Sequence, residues 1–338
     1  MAAQPNEPLP NGYRLNNYRI EKQLSAGGFS IVYLAKDENS NDVAIKEYLP
    51  SGLVARTGGD VVSVTSEEKL AHFRNGMKCF FEEGRALAKI SHPNVVRVEN
   101  FFRANETVYM VMGFMRGRTL QHHITHNREQ FSESFMRRLF MNLLNGLREV
   151  HTHKLLHLDI KPANIYIAMD GTPVLLDFGA ARQALANDRP LLKPMYTNGF
   201  AAPEQYLGMK DLGPWTDIYS IGATIYSCLV GGPPPAANER MKKDNMPSSH
   251  DLWGEQFSAE FLNIIDWCLK LDAEERPHSV MALQKALLME PTPPKVGTTS
   301  LFGKIKQKLT PKLSTTKPKP AIKAKPAVKT KTANSGEK

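Results

Sequence analysis

The segment HLDIKPANIY, from His157 to Tyr166, places Asp159, Lys161 and Asn164 within six residues, between apolar neighbours. A carboxylate, an ammonium and an amide so close together raise the question of a site that handles phosphate. A turn between a helix and a strand collects Asp, Asn and Pro for backbone reasons alone. The choice therefore depends on partners elsewhere in the chain. One partner is LLDFGA, Leu175 to Ala180, where Asp177 ends an apolar strand before a glycine turn, 18 residues beyond Asp159. An acid projecting from a strand end toward Asn164 makes an oxygen site suited to Mg²⁺, which binds carboxylates together with substrate phosphates.

Two further elements fit the same chemistry. Lys46 lies in VAIK, on a strand that would otherwise be buried. A buried lysine needs an anion, and Glu83 on the following helix can supply one while phosphates use the remaining donors. A packing ion pair would satisfy the same two residues. The stretch Leu24, Ser25, Ala26, Gly27, Gly28, Phe29, Ser30, Ile31 and Val32 forms a turn of small residues between two strand-like runs. Gly27 and Gly28 present no side chain there, so backbone N–H groups can approach phosphates closely. Any hairpin can carry Gly-Gly, so this turn gains meaning only from its company.

The elements that must position these groups fall into two halves. YRIEKQL and SIVYLAK predict a hairpin, VAIKEYL a third strand, and VVRVENFF and TVYMVMGF two more, giving a five-stranded antiparallel set. VARTGGDVVSVT predicts a small accessory hairpin around Gly58 and Gly59. SEEKLAHFRNGMKCFFEEGRALAKI has helical spacing, with Phe73, Met77, Phe80, Phe81, Leu87 and Ile90 on one broad face. Gly76 and Gly84 argue against one unbroken helix there. After Met115 helices dominate. SESFMRRLFMNLLNGLREVHTH starts at an N-cap serine, Ser132 or Ser134. TDIYSIGATIYSCLV is apolar nearly all round and predicts a buried central helix. FSAEFLNIIDWCLK and SVMALQKALLM are amphipathic. A β-rich front and an α-rich back predict an α+β fold with two lobes and a cleft between them.

The net charge of +9 is not spread evenly. Residues 291–338 hold 12 Lys/Arg against one acid, Glu337, leaving 31 basic and 33 acidic residues in 1–290. The body is nearly neutral and the basicity is a tail. That tail has seven prolines and one aromatic residue, Phe302, so it is expected to be disordered. The boundary is placed near Glu290. Cys79, Cys228 and Cys268 are widely spaced and read as reduced thiols. The N-terminus lacks an apolar signal core, and the longest apolar run, Ile221 to Gly232, is too short to span a bilayer. A cytoplasmic location and no transmembrane segment follow as expectations.

Taken in order, the glycine turn, VAIK, the helix glutamate, HLDIKPAN, LLDFGA and FAAPEQY resemble the signature series of the eukaryotic-like (Hanks-type) protein kinase family. The resemblance runs from about Tyr18 to Leu288. Lys161 two places after Asp159, and Thr197 seven before Glu204, are similar to the serine/threonine branch, and IKEYLPSGL and GFAAPEQY are closest in wording to bacterial members. The resemblance implies a two-lobed fold, with an N-terminal extension at 1–17, a small β-sheet lobe with one helix at 18–113, and a mainly helical lobe at 116–290. It implies a protein serine/threonine kinase using ATP and Mg²⁺, or Mn²⁺ in its place, acting on Ser/Thr hydroxyls of protein substrates and on itself. Asp159 would accept the hydroxyl proton, and Lys161 would neutralise charge on the γ-phosphoryl group. Asn164 and Asp177 would hold the metal, and Lys46, fixed by Glu83, would bind the α- and β-phosphates. Residues 24–32 would cover the phosphates, and Met112, Phe114 and Met115 would line the adenine pocket. Glu204 with Arg276, and Asp217, would be scaffolding.

Four positions depart from the family pattern. Ser25 and Ser30 replace glycines in the phosphate loop, and Gly113 replaces an acid after Met112. Leu158 stands where the family has arginine. Without that arginine a phosphorylated activation segment lacks its docking charge, so activity is expected not to require such a phosphate. The alternative weighed is a pseudokinase scaffold that recruits partners through its basic tail. Lys46, Asp159, Asn164 and Asp177 are all present, which a scaffold does not need. The tail is expected either to be a plain solvated terminus or to bind an anionic surface or nucleic acid.

Overall fold

The structure, a computed structural model, describes residues 6–56, 59–178, 197–208 and 211–290. The chain divides into two compact units, Met1–Lys295 and Val296–Lys338. All described residues belong to the first, so the expectations for the tail, and for Gly58, lie outside them.

The first lobe is built on strands β1 (Arg14–Leu15), β2 (Tyr18–Ala26), β3 (Ser30–Lys36), β4 (Asp42–Tyr48), β7 (Val98–Ala104) and β8 (Thr107–Gly113). They form one antiparallel sheet in the order β1-β2-β3-β4-β8-β7. The sheet thus has six strands rather than the five expected. The added edge strand comes from the N-terminal extension, whose Leu9 and Leu15 are buried. The accessory hairpin is present as β5 (Val54–Ala55) and β6 (Ser63–Val64), paired antiparallel.

Alternation along β4 sends Lys46 and Tyr48 to the face that carries helix α1 (Leu70–Leu87) and Glu47 to the opposite face. Tyr48 packs on Phe73 and Phe80 of α1. Helix α1 is unbroken through Gly76 and Gly84, despite the propensity cost of glycine in a helix. At Gly84 the reason is contact: a Cβ there would lie 3.1 Å from Met110 Cε, so glycine lets the helix sit close on β8.

On the outer face a buried polar cluster replaces a purely apolar one. Glu47 is fully buried. It accepts hydrogen bonds from Tyr33 Oη at 2.7 Å, Tyr109 Oη at 2.5 Å and Arg56 Nη1 at 3.0 Å, with Arg56 Nη2 as a fourth donor. Arg56 Nη1 also donates to Glu7 O, and Leu9 N donates to Tyr33 Oη. The N-terminal extension, the accessory hairpin and the sheet are stapled together at this one carboxylate.

The second lobe opens with β9 (Gly117–Thr119) and α2 (Leu120–His126), followed by α3 (Glu133–Thr152), whose N-cap is Ser132. Strands β10 (Ile165–Ala168) and β11 (Pro173–Leu175) join β9 in a small sheet ordered β11-β10-β9. The remaining helices are α4 (Pro203–Tyr206), α5 (Pro214–Val230), α6 (Ala237–Arg240), α7 (Ser249–Trp253), α8 (Ala259–Cys268) and α9 (Val280–Leu287). Helix α5 is buried along nearly its whole length, as its apolar composition requires.

The lobes meet behind the cleft along residues 94–96. Leu175 N donates to Asn94 O at 2.9 Å, Val96 N to Leu175 O at 3.0 Å and Asn94 Nδ2 to Pro173 O at 2.7 Å. Helix α3 presents Gly146 to this seam, where a Cβ would lie 2.7 Å from Asn94 O.

Candidate active site

The loop between α3 and β10 carries Asp159, Lys161 and Asn164, and the structure brings their side chains together. Lys161 Nζ donates to Asp159 Oδ1 at 3.0 Å and Oδ2 at 2.9 Å. Asn164 Nδ2 donates to Asp159 O at 2.8 Å and Oδ2 at 2.9 Å. Thr197 joins from a distant segment: its Oγ1 donates to Asp159 Oδ1 at 2.8 Å and accepts from Lys161 Nζ at 2.8 Å. One carboxylate thus receives an ammonium, an amide and a hydroxyl.

The loop is shaped from beneath by Asp217 of α5, which is fully buried. Its carboxylate accepts from His157 N at 2.9 Å and Leu158 N at 2.7 Å, and pairs with His151 Nε2 at 2.8 Å. Burial alone would raise the pKa of Asp217, but the hydrogen bond and charge of His151 and the hydrogen bond from the His157 amide hold it below the usual carboxylate value. Leu158 is held at φ +63°. For a residue with a branched side chain this left-handed backbone costs about 1–2 kcal/mol. His157 is fully buried, and burial pushes its pKa below the ordinary value. It is therefore neutral, with Nδ1 accepting from Asp159 N at 3.3 Å and Nε2–H donating to Leu176 O at 2.8 Å. Its ring stacks on Phe178 at 4.4 Å.

Lys46 is 7% exposed and its Nζ pairs with Asp177 Oδ1 at 2.8 Å. The same ammonium lies 5.6 Å from the centre of the Phe80 ring on α1, the helix that also buries Glu83. The donor set fits Mg²⁺, a hard cation that takes few protein oxygens and completes its shell with phosphate and water. Asp177 offers a carboxylate from a residue at φ +50°. Asn164 spends its amide N–H groups on Asp159, which leaves its oxygen as the end able to ligate.

The glycine turn is held on both sides by backbone hydrogen bonds. Ser25 pairs with Val32 inside the β2–β3 ladder, so both strands run on into the expected loop and only residues 27–29 turn. Gly27 N donates to Ser30 O at 2.9 Å, and Leu49 N to Phe29 O at 2.7 Å. Gly28 O accepts from Ser51 N at 2.9 Å and Ser51 Oγ at 3.2 Å. Of the residues expected near adenine, Met112 is buried on β8, while Phe114 and Met115 follow the strand half-exposed. Beside Gly113, Glu99 Oε1 lies 3.3 Å from where a Cβ would be, so a carboxylate borders this position from a neighbouring strand.

Glu204 and Arg276 form a bidentate pair at 2.8 and 3.0 Å, with Thr216 Oγ1 also donating to Glu204. Gln205, His151 and Ser51 were not singled out from the sequence. No spacing or pattern of residue types marked Gln205, which lies between Glu204 and Tyr206.

The family model described as the protein kinase domain matches residues 18–288. The chain belongs to the protein kinase family. Among curated proteins this kinase-family chain is similar to the serine/threonine-protein kinase ssn3 of Aspergillus terreus, 28% identical over 71% of this chain and 55% of that protein. It is also similar to the serine/threonine-protein kinase PLK4 of Drosophila yakuba, 26% identical over 82% of this chain and 33% of that protein. The chain therefore spans 55% or less of the length of these curated relatives. Among solved structures, PpkA-294 in its apo form is 36% identical, with 83% of this chain and 99% of that one covered and a TM-score of 0.77. The Mycobacterium tuberculosis PknI kinase domain shares the fold at 19% identity, covering 83% and 98%, with a TM-score of 0.60. No helix among the described residues is long and apolar enough to cross a membrane.

Proposed function

We propose that this chain is a serine/threonine protein kinase that transfers the γ-phosphoryl group of Mg·ATP to hydroxyls of protein substrates. The observation that carries the reading is the Asp159 carboxylate, which accepts from the Thr197 hydroxyl at 2.8 Å and from Lys161 at 2.9 Å. A base within hydrogen-bond reach of a hydroxyl is the geometry proton abstraction needs. Asp159 takes the proton of the substrate hydroxyl, and Lys161 meets the charge that develops on the transferring group. Asn164 and Asp177 would hold Mg²⁺, or Mn²⁺ in its place, which would supply positive charge to the phosphate oxygens. Lys46 exchanges its contact with Asp177 for the α- and β-phosphates, beneath the turn of residues 24–32. The reaction needs little covalent chemistry from the protein and is dominated by positioning and charge.

Asp159→Asn is expected to keep ATP binding and to lower phosphoryl transfer to a generic basic protein by about 10²–10⁴, the range for losing a positioned base. Transfer at the wild-type rate would overturn the assignment. A cytoplasmic location agrees with this substrate class.

We further infer that residues 291–338 bind polyanions, because 12 lysines against one acid release counterions on a charged surface. Phosphorylation at Thr310, Ser314, Thr315 or Thr316 would subtract charge and weaken that binding. Full-length protein should bind DNA and anionic vesicles more tightly than residues 1–290 at low salt, and lose the difference as salt rises. Equal binding by both would refute it.

A further inference from the structure

With leucine at position 158, the residue preceding Asp159 offers no charge to grip a phosphate. The segment that carries Thr197 must nevertheless be held against the catalytic loop, because Thr197 contacts both Asp159 and Lys161. Gln205 makes that connection. It is 2% exposed; its Oε1 accepts from Ala202 N at 2.9 Å and its Nε2 donates to Leu158 O at 3.0 Å. Leu158 N is already taken by Asp217 at 2.7 Å. The residue preceding Asp159 is thus gripped at both its N–H and its C=O, and its φ of +63° is a conformation that persists only where the surroundings over-determine it.

We propose that Gln205 is a positioning residue: a neutral clamp that ties the segment ending in Ala202–Tyr206 to the backbone entering Asp159, and does so without a phosphate. The proposal rests on Asp159 being the base. A clamp made of an uncharged amide and two backbone groups does not respond to phosphatase, and it feels salt far less than an ion pair does. Its removal leaves other anchors of the same segment in place. Ser220 Oγ still donates to Phe200 O at 2.8 Å, and Glu204 still pairs with Arg276. The segment should therefore stay folded while the direction of the loop into Asp159 relaxes.

The test uses two variants of the full chain, both treated with phosphatase that is then removed. Gln205→Met is neutral and of similar length but loses both hydrogen bonds. Gln205→Glu keeps an acceptor for Ala202 N–H but loses the donor to Leu158 O until its carboxyl is protonated. Both should lower kcat toward a basic protein substrate by about tenfold or more, the effect of about 1.4 kcal/mol on the barrier. The KM for Mg·ATP should change by less than about twofold, because Gln205 is not among the residues proposed to hold the nucleotide, and kcat is expressed per folded protein, read from the urea transition, so that unfolding does not mimic the loss. Burial raises a carboxyl pKa, so the ratio of Gln205→Glu to wild-type activity should climb between about pH 8 and 6, while that of Gln205→Met stays flat. An unchanged kcat in Gln205→Met, or a fall in kcat matched by equal loss of nucleotide affinity, overturns the clamp. If Gln205→Glu does not fold, the kcat and KM of Gln205→Met decide alone. Asp159→Asn run alongside separates the two claims: full activity there defeats the base assignment, whereas an inactive Asp159→Asn beside a fully active Gln205→Met defeats only the clamp.

Discussion

Among the described residues two carboxylates are wholly buried, Glu47 in the first lobe and Asp217 in the second, and they are satisfied in different ways. Asp217 takes two backbone N–H groups from consecutive residues of one loop, together with His151. Glu47 takes only side chains, from Tyr33, Tyr109 and Arg56, and Arg56 in turn holds the carbonyl of Glu7. The first arrangement fixes the shape of a short loop. The second fastens pieces of chain that are far apart in sequence. A buried acid bonded to backbone is thus a tool for geometry, and one bonded to distant side chains is a tool for assembly.

Substituting the two acids should separate rate from stability. Glu47→Gln leaves the Arg56 guanidinium buried without its counter-charge and should cost about 3–5 kcal/mol of unfolding free energy, read as a fall in the urea midpoint. Its folded fraction should still transfer phosphate. Asp217→Asn should do the reverse, with a smaller loss of stability and a rate lowered by about 10²-fold, the scale for displacing a catalytic group by an ångström. If both substitutions change midpoint and rate in equal proportion, the distinction fails.

A smaller effect concerns pH. Burial lowers the pKa of His157 from its ordinary 6.5, so below that value the unfolded chain binds a proton the native loop refuses. Stability from this group is complete above about pH 6.5 and drains away as pH falls toward its lowered native value, at up to about 1.4 kcal/mol per pH unit. Asp217 is also lowered, from 3.8, and its contribution is lost only at more acid pH, below that value. Urea midpoints should therefore decline between about pH 7 and 5, and His157→Gln should flatten the decline. A flat wild-type profile would show that His157 does not set the acid sensitivity of the loop.

Much of the site was legible because its parts are local. Asp159, Lys161 and Asn164 share one turn, and Asp177 was expected at a strand end and lies two residues past β11, so the order of these motifs already grouped them. The strand character of β3 and β4 was equally readable. The staple at Glu47 was not, since it joins β4 to Tyr109, 62 residues away. The N-terminal edge strand escaped for another reason: Arg14–Leu15 is two residues long, too short to show a period. The doubt over α1 came from the intrinsic cost of glycine, and packing against Met110 overrode it. Gln205 and Ser51 act through contacts with backbone carbonyls, at Leu158 and Gly28, which no pattern of side-chain types encodes.

The seam at Asn94–Val96 has a kinematic consequence. Hydrogen bonds to Pro173 and Leu175 tie the two lobes along this edge, and the Lys46–Asp177 pair ties them again inside the site. Rotation about the edge therefore spares the backbone bonds but strains that pair. Sliding one lobe past the other would break those bonds together, and Gly146 leaves helix α3 no slack, because even a methyl group there would collide with Asn94. Opening the cleft is then the swing of a door rather than the travel of a drawer. Displacement grows with distance from the hinge line. Asp177, two residues beyond Leu175, rides near that line, while the more distant parts of the sheet carry the larger movement.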